Sequence, residues 1–209
     1  MEQISTRQRI LEEALTLFAE MGFAAVSVGQ IAQAVGIKAP SLYKHYKSKR
    51  CIFDAILSEM SNRYEKLMTT MQMDGTEAGK DANHFISISE EQLVEMGKRL
   101  FLFYLHDEYT CKFRRMLTIE QYHSSELAAL YVKQYADSPL SYQEMALGML
   151  AQAGILIPEN RQIMALHFYA PMFLLLTICE CHPEREAGIL QIVEQHIRQF
   201  NRVYKRKED

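Results

Sequence analysis

The chain has 209 residues, of which 48% are hydrophobic and 23% charged, with 9 Gly and 5 Pro. That balance excludes wholesale disorder and supplies a sizeable core for one large or two compact domains. A formal net charge of −3 would argue against a polyanionic partner if it were evenly spread, but it is not.

Residues 1–50 hold seven Lys/Arg against four Asp/Glu, whereas the remainder holds sixteen against twenty-two. Residues 36–50 contain Lys38, Lys44, Lys47, Lys49 and Arg50 with no acid among them. A local cationic patch attracts a polyanion whatever the total charge. The scarcity of Gly and Pro, with no long alternating Val/Ile/Thr runs, points to an all-α chain. Cys51, Cys111, Cys179 and Cys181 form no secreted-framework pattern and read as reduced thiols. The opening run Met1 to Arg7 has no apolar stretch of signal-peptide length. The most apolar window, Ile163 to Cys179, is interrupted by His167, Pro171 and Thr177 and reads as short of a membrane span. The expected compartment is therefore the cytoplasm, with no membrane partner.

In chain order, Thr6 reads as the N-cap of a first helix running to about Met21. Its stripe is Ile10, Leu11, Ala14, Leu15, Leu17, Phe18 and Met21, and Gly22 is its stop. Ser27 caps a second helix in which Val28, Ile31, Ala32 and Val35 face inward, and Gln30 completes a capping-box spacing. Gly36 ends it. A helix of two turns followed by Gly and a residue such as Ile37 is how a helix-turn-helix begins its turn. A third helix is expected over Ala39–Tyr46, with Pro40 in its first turn, where a missing amide hydrogen costs nothing. Leu42 turns to the core; Lys38, Ser41, Tyr43 and Lys44 are left outward. A fourth helix starts near Ser48 and carries Ile52, Phe53, Ile56, Leu57, Met60, Tyr64 and Leu67 at core spacing.

The stretch from Ser27 to Arg50 resembles the signature of the tetracycline-repressor (TetR) family. The run Leu42-Tyr43-Lys44-His45-Tyr46, followed by Ser48-Lys49, is the most specific part, and the ending Phe18-Ala-Glu-Met-Gly-Phe23 is similar too. The resemblance covers about residues 6–60. It implies an N-terminal three-helix DNA-binding domain, residues 1–48. A linking helix would join it to a larger helical bundle, residues 49–209, for ligand binding and dimerisation. The implied function is a ligand-inducible repressor acting as a homodimer on a palindromic double-stranded operator, with a small-molecule inducer and no other cofactor.

On geometry, the short, basic third helix enters a major groove with its N-terminal turns leading. Lys38, Ala39, Pro40, Ser41 and Lys44 would then face base edges. Tyr43 and His45 would reach phosphates, as the matching positions of the family do. Lys49, in the first turn of the fourth helix, and Ser27, at the start of the second, would each meet a phosphate. The resemblance implies that Tyr46 packs in the core, and Lys47 and Arg50 read as solvated.

Beyond the fourth helix, Met71 to Asn83 reads as a loop, and Ser89 with Gln92 as a second capping box opening a helix to Tyr104. Further helices are expected over Glu108–Tyr122, Ser125–Ala136 and from Ser138-Pro139 to Gly154. Two long ones follow, Asn160–Cys181 and Glu184–Tyr204, broken at His182-Pro183. Phe168, Met172 and Leu175 on one, and Ile189, Val193, Ile197 and Phe200 on the other, exceed one apolar stripe and are the candidate dimer interface. Phe103, His106, Phe113, Tyr122, His123, Met149, His167 and Phe168 are the candidate effector contacts, soft aromatic groups with polar side chains to orient a ligand. Three alternatives remain, one of them a protein that coats DNA without sequence preference. Cys179, Cys181 and His182 could sense a soft metal or an oxidant, although positions two apart on a helix point away from each other. An enzyme would lack any recognisable phosphate loop, nucleophile elbow or zinc motif.

Overall fold

A computed structural model describes residues 5–206, and among these the regular elements are helices; one isolated bridge, Leu156 to Lys205, is the only extended pairing. The reading of the N-terminus as free of a leader rests in part on residues 1–4, which lie outside the described residues. The chain forms two compact units: residues up to Tyr64 with Asp107–Val132, and Glu65–His106 with the chain from Lys133 onward. By packing, the first unit thus takes in the beginning of the fourth helix as well as Asp107–Val132.

In the first unit α1 (Thr6–Met21) is capped by Ser5, whose hydroxyl accepts from the Gln8 amide, and not by Thr6. Ser5 and Thr6 are equivalent in chemistry, and only the backbone decides which one is extended. α2 (Val28–Val35) has the full capping box: Ser27 Oγ accepts from Gln30 N at 3.2 Å, and Gln30 Oε1 accepts from Ser27 N at 2.8 Å. Gly36 ends it at φ 77°, and α3 is the short Ala39–Tyr43 rather than a helix to Tyr46. α4 (Lys49–Thr70) follows. α7 (Glu108–Glu120), capped by Asp107, lies along α1, and α8 (Ser125–Val132) packs against α7. Ile10, Phe18, Ile31, Leu42, Ile52, Phe53, Phe113 and Met116 are buried in this unit.

The second unit contains α5 (Ala78–Ser87), α6 (Glu90–His106), α9 (Ser138–Gln152), α10 (Arg161–Cys181) and α11 (Glu186–Tyr204). The expected loop Met71–Asn83 is half wrong, because α5 begins at Ala78. Asp81 in its first turn is buried and accepts from Asp74 N (2.7 Å), Gly75 N (2.8 Å) and the Tyr142 hydroxyl (2.6 Å). A polar, Gly-containing segment thus becomes a helix start because a distant tyrosine and the preceding turn satisfy its carboxylate. The Ser89–Gln92 capping box is present at the start of α6.

Ser138 does not cap a fresh helix. A π-helical turn, Lys133–Asp137, leads straight into α9, and Asp137 is itself helical. Proline inside the first turn of a continuing helix is tolerated for the same reason as at a free start. α10 is 21 residues long, and by length and composition it could cross a membrane, which removes the argument from shortness. Here it packs against α9, α11 and α6. One core joins α6, α10 and α11 through Val94, Phe101, Leu176, Ile189, Val193 and Ile197. A second joins Leu147, Leu156, Met164, Ala165 and Phe200.

Candidate nucleic-acid interface

The α2–α3 pair is held from inside. Ile31, Val35 and Leu42 are buried, and after Gly36 the Ile37 amide returns to the Ala32 carbonyl at 2.9 Å. Arg9 of α1 closes the exposed end of α2 by donating to the Val35 carbonyl at 2.6 Å. With Leu42 pinned inward, helical geometry leaves the opposite face of α3 in solvent. Lys38, Pro40, Lys44 and His45 are exposed, Tyr43 is 51% exposed, and Ala39 and Ser41 are half-buried beside them. Among the described residues Lys38, Lys44 and Lys47 form no ion pair. The structure thus brings together seven of the nine expected DNA-contacting residues on one surface: Lys38, Ala39, Pro40, Ser41, Tyr43, Lys44 and His45.

The other two behave differently. The Ser27 side chain is exposed, but its hydroxyl is committed to the α2 cap. Lys49 turns inward. Its ammonium donates to the carbonyls of Phe23 (2.7 Å), Ala24 (3.2 Å) and Val26 (2.7 Å) and sits 4.5 Å from the centre of the Phe23 ring. Burial pushes the Lys49 pKa down, and the nearby Glu120 carboxylate opposes that shift. The expected Lys49–phosphate contact is therefore corrected: all three ammonium protons already have acceptors. Arg50 is likewise spoken for, by Asp54 at 2.8 Å and by Glu126 at 2.5 Å. The available cationic face narrows to Lys38, Lys44 and Lys47.

Tyr46 is core, as the resemblance implied. It is buried, its hydroxyl accepts from Arg7 Nε at 3.2 Å, and the guanidinium lies 5.1 Å from its ring centre. Sequence reasoning missed Glu120, which is buried at the end of α7 and accepts from Ala24 N at 3.1 Å. A lone acid ending an amphipathic helix carries no local signature, and its partner is 96 residues away.

The other expected sites are scattered. Of the effector candidates, Phe113 is buried in the first unit's core, Tyr122 is 82% exposed and His123 is exposed. In the second unit His106 and His167 are exposed, held by Glu186 at 2.9 Å and the Tyr204 hydroxyl at 2.6 Å. Phe103, Met149 and Phe168 are half-buried. Of the dimer candidates, Ile189, Val193, Ile197 and Phe200 are filled in by this chain's own helices, so they offer no surface to a partner. Phe168, Met172 and Leu175 are half-buried against the same cores. Cys179 is buried and burial pushes its thiol pKa up, while Cys181 is exposed. The metal or redox alternative is not supported, since the two sulfurs sit two positions apart on a helix and point away from each other. Among the described residues no group of three or more potential ligands is placed to hold a metal.

A buried three-helix scaffold presenting one short helix flanked by lysines defines a helix-turn-helix protein. The sequence profile of "Bacterial regulatory proteins, tetR family" matches residues 10–56, the segment that carries the helix-turn-helix. It is 32% identical over 103 residues to the HTH-type transcriptional regulator AcrR of Shigella flexneri, a match spanning 48% of each chain. The HTH-type transcriptional repressor KstR2 of Mycolicibacterium smegmatis matches at 36% over 70 residues, 32% of this chain and 34% of that protein. The chain thus spans about half or less of the length of these curated relatives. Among solved structures, SmeT, the repressor of the Stenotrophomonas maltophilia multidrug efflux pump SmeDEF, superposes with a TM-score of 0.64 at 20% identity, covering 98% of this chain and 92% of that one. A complex of SmeT with triclosan gives 0.67 at 18% identity, covering 97% and 92%. At such identities these likenesses bear on the fold.

Proposed function

We propose that the chain is a transcriptional repressor that binds a palindromic operator in double-stranded DNA as a homodimer and releases it on binding a small molecule. The observation that carries this reading is the outward side of α3 and its two flanks, where Lys38, Pro40, Tyr43, Lys44 and His45 stand exposed with no acid between residues 36 and 50. A short helix flanked by lysines fits the major groove, with Lys38 and Lys44 donating to guanine O6/N7 and the Ala39-Pro40 surface meeting a thymine methyl. Such a protein works where the DNA is, in the cytoplasm, and needs no catalytic group.

Dimerisation is supported by faces that this chain leaves uncovered. On α10, Ile163, Leu166, Ala170 and Leu174 follow helical spacing and are exposed, as are Ile192 and Val203 on α11. An apolar helix face in a water-soluble protein marks a contact with another molecule. Two copies meeting by these faces would form a four-helix interface about a two-fold axis. A chain that partitions into detergent instead of dimerising in buffer would give α10 to a membrane.

The effector reading rests on the second unit. The half-buried Phe103, Met149 and Phe168 suit an apolar small molecule, the kind of compound that the triclosan complex shows SmeT to take. Induction would be a population shift, with the ligand favouring a conformer whose two α3 helices no longer match successive major grooves.

The test is selection of bound duplexes from a random pool. The expected product is an inverted repeat with half-sites one helical turn or a multiple of it apart. Equal affinity for selected and random duplex at one salt concentration would overturn the reading. Tyr43→Ala should weaken binding to the selected duplex roughly tenfold while leaving the dimer intact.

A further inference from the structure

The turn between α1 and α2 is held by two charged side chains from outside the helix-turn-helix. Lys49 at the start of α4 takes the carbonyls of Phe23, Ala24 and Val26, and Glu120 at the end of α7 takes the amide of Ala24. The peptide groups of this turn are thus divided between a cation, which collects the oxygens, and a buried anion, 2% exposed, which collects the nitrogen. Ser27, which begins α2, is the next residue along. Gly22 makes room for the carboxylate: a Cβ there would lie 2.6 Å from Glu120 Oε1.

We propose that Glu120 and Lys49 are positioning residues for DNA binding, which jointly fix the turn Phe23–Val26 and through it the start of α2 and the aim of α3. This rests on the DNA-binding reading above. A reading helix must be held to within a fraction of an ångström by residues whose own partners are satisfied. Here that support comes from α7, a helix distant in sequence with no face on the DNA-reading surface. Lys49 acts through the turn and not on a phosphate, because three carbonyls use its three protons. Loss of Glu120 leaves the Ala24 amide without its acceptor and Lys49 without its nearby countercharge, so the turn loosens and α3 loses its fixed aim, while no lysine is removed from the surface.

The experiment is a salt series of anisotropy titrations with the selected duplex, on the full-length protein and on Glu120→Ala, Glu120→Gln and Lys49→Met. Circular dichroism and oligomeric state are recorded for each. Glu120→Ala and Lys49→Met should each lose about tenfold in affinity, the worth of one or two charge-assisted hydrogen bonds. The slope of log affinity against log salt should not change, since no phosphate contact is removed. Glu120→Gln keeps an oxygen for the Ala24 amide and should recover most of the loss. Amide exchange at Ala24 should quicken in Glu120→Ala. If that variant does not fold, Glu120→Gln and Lys49→Met carry the test. A slope reduced by about one in Lys49→Met would put the ammonium on a phosphate and overturn the assignment. Wild-type affinity in Glu120→Ala, with Ala24 exchange unchanged, would overturn it for Glu120. If the unmodified protein shows no preference for the selected duplex, the DNA-binding reading itself fails, a result distinct from either.

Discussion

Gly22 meets two demands at once. Its φ of 83° lies in the left-handed region, and the Glu120 carboxylate stands where a side chain would begin. Gly22→Ala should therefore destabilise the fold by about 1–3 kcal/mol, more than the unfolded-state entropy it would recover. Urea denaturation checks this, and a change within a few tenths would mean that the turn adapts. Tyr43 and Tyr46 are three residues apart and have opposite duties, one exposed and one buried under Arg7. Tyr46→Phe should cost about 1 kcal/mol of stability for the lost hydrogen bond and leave DNA affinity unchanged. A drop in affinity without a drop in stability would move Tyr46 to the interface. Lys49 shows the limit of reading a residue by its place on a helix: the position faces a phosphate in principle, yet nearby carbonyls claim the ammonium first.

At the scale of elements, the helices with capping boxes and clean stripes were the predictable ones. Ser27 with Gln30 and Ser89 with Gln92 fall where the spacing put them. α5 was hidden because its stabilising partner, Tyr142, is on another helix, and the junction before α9 was hidden because a π turn needs no cap. The pair α10 and α11 separates inner from outer apolar residues, which composition cannot do. Ile197 is buried by its own chain, so Ile197→Ala should cost about 2–5 kcal/mol in stability. Leu174 is 59% exposed, so Leu174→Glu should split the dimer while the protomer keeps its melting behaviour. Sedimentation velocity separates the two cases; a Leu174→Glu dimer would move the interface elsewhere.

For the whole molecule, part of the acidic surplus outside the first fifty residues is tied up in ion pairs. Lys98 holds the Glu194 pKa below its ordinary range, with Arg198 adding to the effect. Lys112 does the same for Glu108. The Thr76 hydroxyl, the Glu77 amide and Lys80 hold Asp74 well below the usual carboxylate value. A carboxylate whose pKa is depressed in the folded state adds stability that is fully present above its unfolded value and lost as pH falls through its folded one. The urea midpoint should thus be level near neutrality and fall from the ordinary carboxylate value of 4.5 downward. Because these groups are exposed, each contributes little, and 1 M salt should flatten part of the decline. A midpoint unchanged down to pH 3 would show that the pairs are solvated in effect.

The helix-turn-helix could be read from the chain itself because its determinants are local. A cap, a glycine at positive φ, a leucine pinned inward and basic neighbours all lie within about twenty-five residues, and local geometry then dictates which side chains face out. The all-helical class and the confinement of cationic surface to one end follow in the same way from composition and order. Tertiary structure alone decided which charges remain available: Glu126 neutralises Arg50, and the carbonyls of residues 23–26 absorb Lys49. It also decided that Ile189, Val193, Ile197 and Phe200 are interior and Leu174 is not. Periodicity tells a helix which side is apolar, whereas burial depends on neighbours far along the chain, and those contacts are absent from any local pattern.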